Sequence, residues 1–393
     1  MYLFFVFIRF FYLFRFDIIS RCGANRYSLP KTIVASLMKF ISFVGVLSLV
    51  AAISNPIPAH ASILVGNTEG NNVIKVSETT GNLIGEFISP FSGFESPDAL
   101  VYGPDSNLYV SSGNKRENAA IYRFDGQTGA LIDKFASGEG LFRPYGLAFG
   151  PDGLLYVSSF RSDKILRYDG TTGEFVDVFA QRDGTAAGLN GPNGLLFGPD
   201  QSLYVTTQGS VANEEGALDF AFPSQILRYD IETGSSEVFV EQPEPFAKGT
   251  GFVSFLGLAT SPEDEDLYVS DFAGGIRRYD FDTGTELATF DTNYTETNPS
   301  SNFVGSLAFG PDSDLYSVGF NAETLVGSLF KFDTVTGDRT LLATDAPFLQ
   351  RPIGVVFKPE IEESQSVPEP GAIASLVMVG LCSIAAKRLD RKE

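Results

Sequence analysis

The middle of the chain is built from short apolar runs separated by Gly, Pro, Asp and Asn, and none of these runs is long enough for a helix of several turns. The stretch from Pro144 to Phe179 shows the unit: GLAF, then LLYVSS, then KILRYD, then EFVDVF, with a turn-rich segment after each. Runs this short, rich in Leu, Val, Tyr and Phe and bounded by turn residues, predict strands. Four such strands joined by short turns predict one antiparallel sheet.

The unit recurs. A Gly-Pro-Asp turn starts at Gly103, Gly150, Gly198 and Gly310, with degenerate copies at Ser261-Pro262-Glu263 and Lys358-Pro359-Glu360. A Thr-Gly turn starts at Thr80, Thr128, Thr172, Thr233, Thr283 and Thr336, so the repeat spacing runs from 44 to 61 residues. A four-stranded sheet repeated at this spacing predicts a propeller blade, and the fold class is all-β with six blades. An all-β sandwich with accidental internal similarity is the alternative. The pattern opens at a second strand (Ile63 to Asn67), continues through Val73 to Ser77 and Leu83 to Ile88, and has no first strand before it. The missing strand lies at the far end, Pro352 to Phe357, so one blade is shared between the two ends of the ring and seals its sheet edges.

The segments GLAFGPDGLLYVSS and ILRYD resemble the NHL-type repeats of six-bladed β-propellers, a superfamily that includes gluconolactonase-type lactonases. The resemblance covers residues 62–360. It implies the ring, but it does not choose between binding modules and enzymes, which share such folds.

Both ends differ from the middle. From Met38 a basic residue, Lys39, precedes the apolar run Phe40 to Ile53, then Pro56 and Pro58, then Ala59-His60-Ala61. This is the order of a secretory signal peptide, residues 38–61, with cleavage expected after Ala61. Residues 1–37 mix Phe and Arg and fit neither a leader nor a domain, which places the translation start at Met38 rather than Met1; an uncleaved N-terminal anchor is the competing reading. After an acidic linker, residues 361–367, come Pro368-Glu369-Pro370, an apolar run over 371–386, and Lys387, Arg388, Arg391 and Lys392. The run is somewhat shorter than the roughly 20 residues that span a bilayer comfortably. Its basic flank suits the cytoplasmic side. Residues 368–393 resemble the PEP-CTERM sorting signal of exported bacterial proteins. That resemblance implies an exosortase-type enzyme as partner, transient anchoring in the membrane by the C-terminal helix, and a final place at the cell surface or outside the cell.

Charge and rare residues then narrow the chemistry. The whole chain carries a formal charge of -20, and without its leader and tail 18 basic residues face 44 acidic ones, for -26. Such a surface argues against nucleic acid as a partner. The one His, His60, and both Cys, Cys22 and Cys382, lie in the removable ends. The remaining chain has no disulfide and no means of Ser-His, Cys-nucleophile or His-metal chemistry.

Turns between first and second strands and between third and fourth strands are short and uniform, and they project from one face. The opposite face carries a long insertion at Gln208 to Ser224 and long links at Glu241 to Val253, Asp291 to Asn302 and Thr344 to Arg351. Long, diverse loops on one face mark it as the binding face, or else as tolerated insertions. Near the channel on that face lie Asp98, Tyr145, Asn193, Leu256, Gly305 and Ile353 at the entry to each first strand. Asn67 and Asp271 close two of the second strands. Asn67, Asp98, Asn193 and Asp271 form a candidate set of oxygen ligands for a hard cation such as calcium, or else cap turns. Tyr145, Asn193, Phe220 and Phe222 are candidate ligand-binding residues; Glu263 to Asp266 reads as a solvated turn. The resemblance to gluconolactonase-type enzymes implies a divalent cation held by carboxylate and amide oxygens, but the acidic residue expected near the first such strand is missing unless Glu95 or Asp98 replaces it. Quinone-dependent sugar dehydrogenases on similar rings rely on a His that the ring here lacks. The preferred expectation is a noncatalytic exported binding protein associated with a surface polysaccharide or protein; the alternative is a metal-dependent lactonase-like hydrolase.

Overall fold

A computed structural model describes residues 61–359, and within them the chain forms a six-bladed β-propeller. The processing residues Ala59, Pro368, Glu369 and Pro370 and the helix expected over 371–386 lie outside the described residues. Ala61 is buried just before the first strand. Among the described residues no helix is long and apolar enough to cross a membrane.

Blade one joins the two ends of the ring. Ser62–Asn67, Asn72–Ser77 and Leu83–Ile88 form its outer three strands, and Pro352–Lys358 pairs antiparallel with Ser62–Asn67 as the innermost strand. Val65 faces Val355 and Ile63 faces Phe357 in this register. The innermost strands of blades two to six are Leu100–Tyr102, Pro144–Phe149, Pro192–Phe197, Phe255–Thr260 and Asn302–Phe309.

Each repeated motif has a local physical cause. The Tyr of the Leu-Tyr second strand is fully buried between sheets, where its ring contributes much apolar contact area, and its hydroxyl donates to the Asp of the preceding Gly-Pro-Asp turn. The pairs are Tyr109 with Asp105 (3.1 Å), Tyr156 with Asp152 (2.8 Å), Tyr204 with Asp200 (3.1 Å) and Tyr316 with Asp312 (2.8 Å). The Thr-Gly turn is held by an Asp three residues before the Thr. Asp169, for example, accepts from the backbone N–H groups of Thr171 and Thr172 at 2.9 and 2.8 Å, and the same bond from the Thr amide recurs at Asp125, Asp230, Asp280 and Asp333. Such side-chain to backbone bonds fix a turn without help from distant sequence.

The core is distributed between blades rather than gathered at one centre. One buried cluster fills each junction: Tyr109, Leu147 and Leu166 between blades two and three, for instance, and Ile63, Val65, Tyr316 and Val355 where blade six meets the closing blade. The segment from Thr344 differs from its expectation as a loop. The outer strand of blade six runs over Arg339–Gln350, and register shifts opposite Val326, Gly327 and Leu329 absorb its extra residues, so that Ala346 and Leu349 stay buried. The Glu263 to Asp266 turn is not merely solvated, since Arg278 reaches Asp264 and Asp266 at 2.6 Å each.

Candidate functional site at the channel mouth

The six innermost strands line a central channel of 330 Å³. Aliphatic side chains, among them Leu100, Leu147, Leu195, Leu258 and Val355, line much of its length, while Asp98, Tyr145 and Asn193 supply polar groups at the end from which the long loops rise. Asp98, Tyr145, Asn193, Leu256 and Ile353 all line the channel, and at the sixth position Ser306 does so rather than Gly305.

The backbone that delivers these residues is unusual. In four blades the chain enters as X-Pro-Z, where Z is the mouth residue: Ser96-Pro97-Asp98, Arg143-Pro144-Tyr145, Gly191-Pro192-Asn193 and Arg351-Pro352-Ile353. Every X residue is left-handed, with φ of 52° at Ser96, 52° at Arg143, 66° at Gly191 and 50° at Arg351. That conformation is costly for residues with a Cβ and is retained where surrounding bonds over-determine it. Those bonds are present: the carbonyls of Arg143, Gly191 and Arg351 accept from Phe160, Gln208 and Thr68 at 3.2, 2.9 and 3.2 Å.

Behind the mouth, hydroxyls of the second strands tie neighbouring blades together. Ser158 Oγ accepts from the Gly146 amide and donates to the Asn193 carbonyl, both at 2.6 Å. Thr206 Oγ1 accepts from the Gly194 amide at 2.8 Å and donates to the Leu256 carbonyl at 2.5 Å. A Cβ on Gly146 or Gly194 would overlap the Asn193 or Leu256 carbonyl oxygen, respectively, so the close approach of blades requires glycine there.

The charge at the mouth is concentrated on blades one to three. Asp98 is 4% exposed; its Oδ1 accepts from Thr68 Oγ1 at 2.6 Å and its Oδ2 lies 3.6 Å from Arg143 Nη2. Burial raises the Asp98 pKa, and Arg143, Thr68 and Arg351 hold that rise back. The Arg143 guanidinium stacks over the Tyr145 ring at 4.9 Å, and Tyr145 packs on Phe160 at 4.9 Å. Burial raises the Tyr145 hydroxyl above its ordinary range, so that it is a proton donor rather than a base at neutral pH. Arg161 acts electrostatically on this group, and burial and Arg143 lower its own pKa. Arg351 also faces Glu69 at 3.5 Å.

The four expected cation ligands do not come together. Asn67 and Asp271 are absent from the channel lining. Asn67 Nδ2 donates to Phe348 O and Asn72 Oδ1, and its Oδ1 accepts from Gln350 N, which fastens the closing blade. Asp271 is fully buried, receives the Ser254 amide at 3.0 Å, and pairs with Arg277 at 3.1 Å. Among the described residues no three His, Cys, Asp or Glu side chains are gathered as metal ligands. This donor set does not fit calcium, because Asp98 and Asp271 already face guanidinium groups.

Phe220 is 64% exposed while Phe222 is half-buried, with its amide bonded to Gly209 O at 3.0 Å. Their loop contains a small hairpin, Val211–Ala212 with Leu218–Asp219. It leans toward blades two and three: Glu214 O accepts from Arg116 at 3.2 Å, and Arg116 and Arg161 both stack on Phe142, at 4.6 and 5.8 Å. Sequence reasoning missed Arg143, Arg161, Arg351 and Thr68. The available signal was the Arg-Pro pair repeated directly before two innermost strands, at Arg143 and Arg351.

A six-bladed β-propeller with a charged half and an uncharged half at its channel mouth is the class that fold and site define. No protein-family model matches the chain, and no curated protein matches it. Solved structures similar to it include a chain of a nidogen/laminin complex, 13% identical with a TM-score of 0.54 over 76% of this chain and 98% of that one. A protein of unknown function from Bacteroides caccae is 13% identical with a TM-score of 0.53, over 77% of this chain and 100% of that one. A protein from Lactobacillus plantarum is 16% identical with a TM-score of 0.51, over 76% and 99%. At these identities the likeness extends to the fold alone.

Proposed function

We propose that this protein is an exported, noncatalytic binding protein that recognises its ligand at the channel mouth on the long-loop face, at the cell surface or outside the cell, with a surface polysaccharide or protein as partner. The observation that carries the reading is the Arg143–Tyr145–Asp98 group. It is an aromatic ring with an arginine stacked on it, held by strained backbone at the entrance of a channel. Arginine and tyrosine side chains of this kind are common anchors in recognition sites. The leader and the PEP-CTERM resemblance supply export and sorting in this reading.

The hydrolase reading gains no comparable support. Asp98 is engaged by Thr68 and Arg143, and Tyr145 is pushed away from acting as a base. The test is an array of neutral and acidic oligosaccharides probed with the full chain and with Tyr145→Ala. Val335→Ala, an 86% exposed site in a short turn of the opposite face, serves as control. Hits that Tyr145→Ala abolishes and Val335→Ala retains support the reading. Hits indifferent to Tyr145, or release of cleaved product, refute it.

A further inference from the structure

The mouth is chemically lopsided. Blades one to three bring Arg351, Asp98, Arg143 and Arg161 to it, whereas blades four to six bring Asn193, Leu256 and Ser306, which carry no charge. Two of the arginines have carboxylate partners, Asp98 for Arg143 and Glu69 for Arg351; Arg161 has no ion-pair partner among the described residues. Buried groups without a partner around these entries include the donors Arg143 Nε, Arg161 Nε and Asn193 Nδ2 and the acceptors Asn114 Oδ1 and Asn190 Oδ1, so the bias of the mouth lies in its charge. Three guanidinium groups against two carboxylates leave an excess of positive charge, which calls for an acceptor that is itself negative.

Resting on the binding reading above, we propose that the ligand is a monocarboxylate. Its carboxylate sits beside Arg143 and Arg161, and its neutral body lies over Tyr145 toward the uncharged half of the mouth. A single carboxylate fits better than a polyanion. The chain as a whole carries -20 and repels an extended anionic polymer, while at physiological salt the field of the mouth arginines reaches only about 8 Å. The lowered pKa of Arg161, caused by burial and by Arg143, agrees with this, because a bound anion would offset the repulsion between the two guanidinium groups. Two sources can supply the carboxylate, a sugar acid or the terminus of an acylated amino acid, and the test separates them.

Thermal shift and calorimetric titration of the full chain would use sodium glucuronate, its neutral methyl ester, glucose and N-acetylalanine. Binding by one or both acids, at least tenfold tighter than by the ester or glucose, is the expected result; which acid binds identifies the source. Arg161→Gln, a side chain outside any ion pair in the structure, should weaken acid binding at least tenfold and leave the unliganded melting temperature within a degree or two. Arg143→Gln should weaken it at least as much. Equal affinity for acid and ester, acid binding indifferent to both arginine variants, or no acid binding at all overturns the proposal. If neither acid binds while Tyr145-dependent array hits persist, the monocarboxylate falls and the binding function stands. If the array is also silent, both fall.

Discussion

Ser158→Ala probes how the ring and its mouth are coupled. The Ser158 side chain is fully buried, and its hydroxyl takes the Gly146 amide and gives to the Asn193 carbonyl, each at 2.6 Å. Those two backbone groups belong to the residue after Tyr145 and to the mouth residue of the next blade. Alanine removes one oxygen and leaves both groups buried without that partner. A buried unsatisfied polar group costs roughly 1–3 kcal/mol, so the pair should cost about 2–4 kcal/mol after some relaxation. Such a loss is a substantial fraction of a typical stability of about 5–15 kcal/mol.

Urea denaturation of the full chain and the variant would measure it, with the midpoint falling and the slope unchanged. Ser89→Ala is the matched control: its hydroxyl also makes a bond, to Glu86 at 2.7 Å, but on the exposed outer side, and it should stay within about 0.5 kcal/mol of the parent. A Ser158→Ala midpoint indistinguishable from that of Ser89→Ala would refute the claim that strand hydroxyls bind blade to blade.

Two further outcomes follow from the same structure. Deleting Ser62 to Ile88 removes three strands of the closing blade and uncovers its junctions with blades two and six, so the product should aggregate, whereas deleting Pro368 to Glu393 removes no described strand; identical melting transitions of both truncations and the parent would contradict the closure. Stability should peak at mildly acidic pH. Asp125, Asp169, Asp230, Asp280 and Asp333 have pKa values lowered by turn hydrogen bonds, so their contribution is present above the unfolded value of about 3.9 and is lost as pH falls through the folded values. Asp98, Asp163 and Asp271 have values raised by burial, so theirs is present below about 3.9 and is lost as pH rises through the folded values. Urea midpoints that keep rising from pH 4 down to 2.5 would contradict the turn assignment.

The ring was legible because its signals are local. The Asp of each Gly-Pro-Asp turn serves a Tyr four residues on, and in five of the six Thr-Gly turns an Asp serves a Thr three residues on, with Ser77 in that place before Thr80, so blade spacing and the split blade could be counted directly. The site was less legible because its partners come from different blades. Asp98 meets Thr68 of blade one and Arg143 of blade three, at separations that no periodicity reveals. Asp271 and Asn67 were grouped with it as oxygen donors, but their orientation is set by Arg277 and by the backbone of Phe348 and Gln350. The Thr344 to Arg351 segment read as a loop because Asp345 and Pro347 interrupt its apolar pattern, which the bulges of that strand accommodate.

The placement of charge bears on why the mouth is built as it is. Burying Asp98 beside Arg143 is a weak way to stabilise a ring, since desolvation of both ions offsets much of their attraction. Blades four to six close around the same channel with Asn193, Leu256 and Ser306 lining it and no ion pair between them. Stacking therefore does not require the charges. The left-handed Arg143 and Arg351 add conformational cost to the electrostatic one, at the entries on either side of blade two. The buried Asp271–Arg277 pair of blade five lies outside the channel lining, so a charged mouth that costs stability on blades one to three and has no counterpart among the channel-lining residues of blades four to six is best understood as serving recognition, and it is on blades one to three that ligand contacts should be sought first.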